Sequence, residues 1–533
     1  MTGMHQPSDP RWRVTLTQMA RGDLYWGVVV VLIASLTGLY VVYAERGVPP
    51  WDPSSMVILG KSLVENHSLQ YYDANNRSVG PYFNPHGFDI HAPQDPQPYS
   101  TFPPGFSLFI AAAYILGQER LLYLVPPLFG LMGLVASAYL GHLLGGRWAS
   151  IFAVLLIGTS DVIATFSTSL WSDGPSLCLL LTALALYMAA NRSNKKWLLL
   201  VSGSLLGTFV LFKFVNVIFA ALILGHQVLI KRGREGLTSA TFLAVGSVAG
   251  MLGLLLYQTR AYGSPLANAY HPWGQSRYPF PLFSIRYLFV KAPAPWGDVA
   301  GQAIIEGLLR DMHVWIIPFV VGVVVRRRDP WAALLGLIAG INILVYAVSV
   351  FTPRQFINMR YMLPALAMAY LLAAGCMAKL VSRLRRPAWR VSLAAMIGLL
   401  CFGHLSTVAL PELASRNANT LAILHDVSIT ADALPAGSVV MAYVLADTFI
   451  LYGNLSVLNY RRIDAPDVQT RNQLAIQAVN ALLCMKQPVY LVQDDQKLFN
   501  TIYPDLARRF ALQRLSAAQT VYKITETVDP CQT

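Results

Sequence analysis

Long apolar runs, almost free of charge, recur through the first three quarters of the chain and then stop. They lie at 24–44, 122–144, 149–167, 175–190, 197–212, 215–230, 237–258, 312–325, 331–351, 361–378 and 391–410. At about 1.5 Å rise per residue, a run such as 24–44 reaches roughly 30 Å as a helix, the thickness of a bilayer's hydrocarbon layer. Eleven crossing helices are therefore predicted, and a transmembrane β-barrel is excluded because its strands alternate over about ten residues. The stretch 105–117 is too short to assign and leaves the total at eleven to thirteen. After 411 the pattern changes: helical periodicity near 417–433 and 467–484 alternates with β-rich runs at 438–444, 457–460, 489–492 and 521–524. The predicted fold is a polytopic α-helical membrane protein with long extracytoplasmic loops and a small C-terminal extracytoplasmic α/β domain.

Composition agrees with this reading. Of 533 residues, 55% are hydrophobic and 13% charged, about half the usual charged share of a soluble protein. A soluble enzyme, a disordered chain and a fibrous repeat are thereby excluded. The net charge of +13 raises the question of nucleic acid, and its distribution answers it. Six segments (1–23, 146–148, 191–196, 231–235, 326–329 and 379–390) hold 18 Lys/Arg against 4 Asp/Glu, whereas 45–103 holds 3 against 6 and 412–533 holds 10 against 11. Basic residues gathered in short loops mark the cytoplasmic side, so no nucleic-acid partner is expected. Residues 1–23 are read as cytoplasmic, 24–411 as the transmembrane domain with its first outer loop at 45–103 and a second at 259–311, and 412–533 as the outer domain. No cleavage site follows 24–44, which reads as a signal anchor. The expected location is a bacterial inner (plasma) membrane. Cys178, Cys376 and Cys401 fall in apolar helices, while Cys484 and Cys531 lie in the tail, where a disulfide between them is chemically allowed.

Candidate chemistry gathers at one face. Asp52 follows the first crossing and Asp173 begins a later one at the same level. Two acids at a membrane boundary suit general-base chemistry or a divalent cation; the plainer alternative for Asp173, followed by Gly174-Pro175, is helix capping. Asp161 sits late in an apolar run, where a carboxylate faces a wet cavity. Lys213, Arg260, Arg286, Lys291, Arg354 and Arg360 fall at or near outer helix ends. Single cations there snorkel to lipid phosphate, but a cluster level with two acids also fits a phosphate-bearing lipid, since arginine grips phosphate with two parallel N–H bonds. His67, His86, His91, His271 and His313 show no metal-ligand spacing, and no nucleotide-cradling loop or nucleophile elbow occurs.

Several of these positions fall together in an order that resembles the C-type superfamily of integral-membrane glycosyltransferases, which includes protein O-mannosyltransferases and lipid A aminoarabinose transferases. The resemblance runs from about 24 to 375. It rests on Asp52 with the amphipathic stretch from Met56, on Tyr99-Ser100-Thr101-Phe102-Pro103-Pro104-Gly105, on Trp171-Ser172-Asp173-Gly174-Pro175, on Leu211-Phe212-Lys213-Phe214, on Arg260 with Gly263-Ser264-Pro265-Leu266, and on Asn358-Met359-Arg360-Tyr361. Two departures are visible: Pro53 replaces the second acid of a frequent Asp-Glu pair, and Thr101 stands where Lys is common. The resemblance implies a polyprenyl-phosphate sugar donor, an acceptor that is a lipid, a glycan or a protein, and hexosyl or pentosyl transfer on the extracytoplasmic face with inversion. Asp52 and Asp173 are then the catalytic candidates, Lys213, Arg260 and Arg360 the donor-phosphate ligands, and Tyr99, Thr101, Asp161 and His91 accessory residues. No particular cofactor is implied, and a divalent cation is left open. The readings that compete are a transporter or flippase of a lipid-linked or anionic substrate and a non-catalytic assembly subunit; polar residues concentrated at one face favour an enzyme over a transporter with a midplane site.

Overall fold

The computed structural model describes residues 10–89, 98–231, 233–267, 284–288, 300–349, 356–463, 465, 467–515 and 521–526. Among these, eight helices are long and apolar enough to cross a membrane, and two shorter apolar ones accompany them. The chain is an integral membrane protein. Its helices are α1 (Pro10–Val42), α2 (Asp52–Glu65), α3 (Asn75–Ser78), α4 (Gly105–Leu122), α5 (Val125–Thr159), α6 (Asp161–Thr168), α7 (Asp173–Ser193), α8 (Lys196–Phe212), α9 (Val217–Ile230), α10 (Arg234–Tyr262), α11 (Ala300–Met312), α12 (Ile316–Val325), α13 (Pro330–Ala347), α14 (Leu363–Arg383), α15 (Pro387–His404) and α16 (Leu410–Asp432).

Two expected crossings, 122–144 and 149–167, meet without a loop in α5. Gly145 and Gly146 leave helical geometry there, Gly146 at φ 75°, a conformation open to glycine at little cost. Gly141 lies against the Ala149 carbonyl and the Ala153 methyl, neighbours that a straight helix would carry out of reach, so the two arms fold back on one another. The second arm stops at Ser160, whose Oγ accepts from the Ile163 N–H and caps α6. The short stretch 105–117 is the body of α4, kinked at Gly117 and Gln118 and packed on α2, where Gly60 meets Ile110.

Lipid offers apolar side chains no advantage in packing on each other rather than on acyl chains, so helices associate where small residues allow close contact. α8 and α10 do this with facing Gly-x-x-x-Gly pairs: Gly203 and Gly207 on one, Gly246 and Gly250 on the other, each glycine against the partner's backbone. The Ser247 Oγ adds a bond to the Gly203 carbonyl at 3.0 Å. This contact places the end of α8, and hence Lys213. Of the membrane-crossing helices α7 and α14 are the most deeply buried, whereas α1 shows a single buried stripe (Val29, Leu36 and Tyr40) and exposes Val30 and Val31.

The final crossing runs through the expected boundary at 412. α15 passes into α16 through a π-helical turn, Leu405–Ala409, so the first tail helix is the membrane helix prolonged. Beyond it lie β3 (Val439–Ala442), α17 (Ala446–Gly453), β4 (Ser456–Asn459), α18 (Val468–Cys484), β5 (Val489–Val492), α19 (Gln496–Arg509), β6 (Phe510–Arg514) and β7 (Val521–Glu526). They form a five-stranded sheet in the order β4-β3-β5-β7-β6, parallel among the first three and antiparallel at β7 and β6. Period-two alternation sorts its side chains: Val439 and Met441 face α18 and α19, and Val440 and Ala442 face Val427 of α16. The sequence expected four of these strands and missed β6. Cys484 is exposed, and Cys531 lies outside the described residues.

The first loop is sewn to this domain. Asn75 Nδ2 donates to Ser456 Oγ at 2.9 Å, Ser456 Oγ to Asp73 at 2.7 Å, and Asn459 Nδ2 to the Asn84 carbonyl at 2.9 Å. At the root of the loop Glu45 is buried beside α16, with Thr420 Oγ1 donating to it at 3.3 Å. Burial pushes its carboxyl up to about 7 against the pull of Arg416. The folded state therefore keeps a proton that the unfolded chain loses near the ordinary value of 4.5. Stability should fall as pH rises from 4.5 to about 7 and level off above. Thermal unfolding of Glu45→Gln in detergent should show a flatter profile across that window and a midpoint above the wild type's at pH 8; parallel profiles for the two proteins would refute this.

Candidate active site

Four charged residues converge where the first loop meets the helix ends. Asp52 opens α2, with Pro53 in the first turn, where its missing N–H costs nothing. Trp51 before it takes φ 84° and ψ −135°, a strained conformation for a residue with a Cβ. The Ser54 Oγ lies 2.6 Å and the Ser55 Oγ 3.2 Å from the Trp51 carbonyl oxygen, both seated against the turn. Asp173 is the first residue of α7, and no side-chain capping bond is made at the preceding Ser172. It is placed by Gly174, where a Cβ would lie 1.7 Å from the Phe166 carbonyl oxygen, so the start of α7 rests directly on the backbone of α6. Lys213 forms the extended corner after α8. Arg360 lies in the 3-10 turn Phe356–Met362 ahead of α14. Asn342 of α13 anchors that turn, donating to the Tyr361 carbonyl and accepting from the Ala365 N–H, both at 3.2 Å.

The charges pair across these elements. Arg360 Nη2 lies 2.8 Å from Asp52 Oδ2, and Lys213 Nζ bonds Asp173 Oδ1. His86 Nε2 stands 3.6 Å from Asp52 Oδ1. Aromatic rings support the cations: the Arg360 guanidinium lies 4.1 Å from the Trp171 ring centre and 4.8 Å from that of Tyr361, which also takes Lys213 at 5.4 Å and stacks on Tyr346. Arg360 Nη2 donates to the Tyr361 hydroxyl at 2.8 Å, while its Nε and Nη1 are buried with no hydrogen-bond partner among the described residues. Burial opposes the charge on Asp52, but Arg360, with His86 and Lys213, outweighs it and holds the carboxyl well below the usual range. Burial likewise pulls the Lys213 ammonium down, against the opposing effect of Asp173.

Asp52, Asp173, Lys213, Arg360 and Tyr361 line a hollow of about 80 Å³ whose remaining walls are Met56, Phe102, Pro103, Ser172, Phe212, Phe214, Val215 and Tyr346. A second hollow continues past Asn216, Phe219 and Leu363 between the helices. The first hollow thus sets two acid–cation pairs against apolar walls, surroundings that suit an ionic head group joined to a hydrocarbon. Each acid already faces a cation, a donor set better suited to an anion than to a divalent cation. Among the described residues no group of three or more His, Cys, Asp and Glu is placed to hold a metal.

Of the residues singled out in sequence, Asp52, Asp173, Lys213 and Arg360 come together. Arg260 is exposed on the last turn of α10 and is not among the residues lining the hollow. Thr101 bonds the Gly87 carbonyl through its N–H at 2.7 Å and its Oγ1 at 3.0 Å, holding the strand beside His86. Tyr99 belongs to β2 (Tyr99–Ser100), which pairs with β1 (Phe88–Asp89). Asp161 lies in a separate buried group: His404 Nε2 is 3.8 Å from it, and neighbouring Asp311 accepts from Ser160 at 3.0 Å and Tyr370 at 2.8 Å. His91, Lys291 and Arg354 fall outside the described residues. His86, Trp51, Trp171 and Tyr361 were not singled out as site residues. Only the aromatic neighbours of Asp52, Asp173 and Arg360 carry a sequence signal, an aromatic residue within two positions of each charge.

No family model matches the chain, and no curated protein matches it in sequence. Solved structures do. ArnT from Cupriavidus metallidurans bound to undecaprenyl phosphate is 15% identical with a TM-score of 0.59, over 93% of this chain and 98% of that one. The apo oligosaccharyltransferase of Archaeoglobus fulgidus is 12% identical with a TM-score of 0.58, over 94% and 74%. The arabinofuranosyltransferase AftD from Mycobacteria is 12% identical with a TM-score of 0.55, over 94% of this chain and 40% of that one.

Close contact at Gly174 makes it a sensitive position. Gly174→Ala should shift the start of α7 and lower stability by about 1–3 kcal/mol, read as a fall of several degrees in the unfolding midpoint; an unchanged midpoint would contradict the packing described. The chain shares its overall fold with ArnT, the archaeal oligosaccharyltransferase and AftD.

Proposed function

We propose that this protein transfers a sugar from a polyprenyl-phosphate donor to an acceptor hydroxyl, on the face that carries the C-terminal domain. The observation that carries the reading is Arg360: a buried guanidinium whose Nε and Nη1 have no hydrogen-bond partner among the described residues, beside a carboxylate, in a hollow with apolar walls. Buried donors without acceptors are costly, and a phosphate oxygen is the acceptor that best offsets this cost for arginine. That ArnT was solved with undecaprenyl phosphate supports the same class of ligand.

The reaction is a single in-line displacement. The acceptor oxygen forms a bond to the anomeric carbon as the bond from that carbon to the phosphate oxygen breaks, inverting the centre. The acceptor proton passes to Asp52, and the departing polyprenyl phosphate takes the negative charge. Arg360 and Lys213 stabilise that charge as it develops. Asp173 holds the Lys213 ammonium in place and meets the sugar or the acceptor. Arg260, outside the hollow, is left for the approach of the anionic head group. In the free protein Asp52 is a weak base because Arg360 holds its proton affinity down. A donor phosphate would engage the same guanidinium and add negative charge nearby, and both effects make the carboxylate more basic.

Purified protein in nanodiscs, given labelled undecaprenyl-phosphate-linked hexoses and pentoses with a membrane lipid extract as acceptor source, should consume donor and release undecaprenyl phosphate. Asp52→Asn should cut turnover by about 10²–10⁴-fold. Arg360→Ala should weaken undecaprenyl phosphate binding at least tenfold, seen by quenching of tryptophan fluorescence. Near-full transfer by Asp52→Asn would remove its role, and intact donor accompanied by uptake into vesicles would replace the enzyme reading with transport.

A further inference from the structure

The turn that presents Asp52 is held from far away in the sequence. Asp447, in the first turn of α17, is buried at 2% exposure. Its Oδ2 accepts from Ser54 Oγ at 2.6 Å, and its Oδ1 accepts from the backbone N–H of His86 at 2.6 Å. Ser54 is seated against the strained Trp51 turn, and His86 stands beside Asp52. The C-terminal domain also reaches the other side of that turn. The Arg461 guanidinium lies 4.6 Å from the Trp51 ring centre, and the Trp51 ring meets His86 edge-on with centres 5.3 Å apart. One carboxylate thus ties the residue after Asp52's proline to the residue that flanks Asp52's second oxygen.

We propose that Asp447 is a positioning residue of the reaction centre, and that the C-terminal domain completes the site by setting the Trp51–Asp52 turn and the place of His86. The inference rests on the transferase reading for its kinetic consequence. Its geometry follows from the contacts alone. A positive φ at a tryptophan persists only where surrounding structure over-determines it, and a carboxylate that accepts both a hydroxyl and a backbone N–H supplies that constraint with charge-assisted bonds. Lone tethering of two domains would not need both bonds to fall on the neighbours of Asp52. The other seams between loop and domain, at Ser456 and Asn459, hold the assembly without touching the site.

The test compares Asp447→Ala, Asp447→Asn and Ser456→Ala in the full-length protein. Ser456→Ala cuts a seam of similar kind away from the site and serves as the control for tethering. Asp447→Ala should lower turnover of labelled undecaprenyl-phosphate sugar about 10–100-fold in kcat, leave undecaprenyl phosphate affinity within about twofold, and speed amide exchange at 51–56 and 86–88 at least tenfold. Asn retains an acceptor for the His86 N–H and a donor for Ser54, and should recover most of the turnover. Ser456→Ala should leave kcat near wild type. The proposal is overturned if Asp447→Ala keeps full kcat, if Asn falls as far as Ala, or if Ser456→Ala reproduces the loss. Should the wild type turn over no donor, the transferase reading fails while amide exchange still decides the positioning role: unchanged protection at 51–56 and 86–88 in Asp447→Ala would reject it.

Discussion

The ion pair between Arg360 and Asp52 is the interaction on which the site depends. A guanidinium and a carboxylate at a membrane boundary are stable only if each offsets the other's loss of water, and removing one leaves the other buried and unpaired. Arg360 lies on the turn before α14 and Asp52 on the first turn of α2, so the pair also fixes the distance between a core helix and the first loop. Lys213 and Asp173 repeat the arrangement between the corner after α8 and the start of α7. Four elements are thereby held in register by two bonds of opposite charge. The carboxylates absorb only part of the hydrogen-bonding capacity of the cations, as the Nε and Nη1 of Arg360, without a partner among the described residues, show. A site built this way is closed to bare charge and open to an anion.

The scaffold keeps those four elements from drifting. Among the membrane-crossing helices, those that carry Asp173 and follow Arg360 are the most buried, and close backbone contacts locate the elements around them: Gly174 on the backbone of α6 sets the start of α7, and the facing glycine pairs of α8 and α10 set the corner that carries Lys213. Because lipid does not drive helices together as water does, small residues in backbone contact do the locating. The rigid part of the molecule therefore lies inside the bilayer, and polar chemistry is concentrated where its helices end. That placement has an electrostatic benefit, since charges at the edge of an apolar layer act on one another more strongly than in water.

Crossings were legible in the sequence because an uncharged apolar run of membrane length is soluble in little besides a bilayer. What escaped was local geometry that pattern does not encode. Gly145 and Gly146 reverse the chain without a polar loop, so two crossings share one helix in α5. The last crossing continues past 412 as α16, with the π-helical turn Leu405–Ala409 lying directly before Pro411, whose ring and missing N–H a regular α-helical ladder would not accommodate. β6, with one buried position among exposed and half-buried ones, shows too little alternation to announce itself. At the site, Asp52, Asp173, Lys213 and Arg360 could be named because short motifs accompany them. Nothing near His86 distinguishes it from the other histidines, and its place beside Asp52 is created by contacts across hundreds of residues, such as the one to Asp447, 361 positions on. Arg260 shows the converse: a cation at the right helix end whose side chain is exposed.

Mutual neutralisation in the free protein and catalysis in the proposed reaction make opposite demands on Asp52, and the arrangement satisfies both. Before a donor arrives, a depressed proton affinity keeps the carboxylate charged and paired, which holds the charged wall of the hollow together. A base so strongly held would serve poorly. The group that holds it is the one with N–H donors to spare for a phosphate, so in the proposed reaction donor binding would itself raise the basicity of Asp52. A hydroxyl arriving before the donor would meet the weaker base, and one arriving after it the stronger. In the proposed reaction that difference favours donor before acceptor, and the rings of Trp171 and Tyr361, 4.1 Å and 4.8 Å from the guanidinium, support it from its faces.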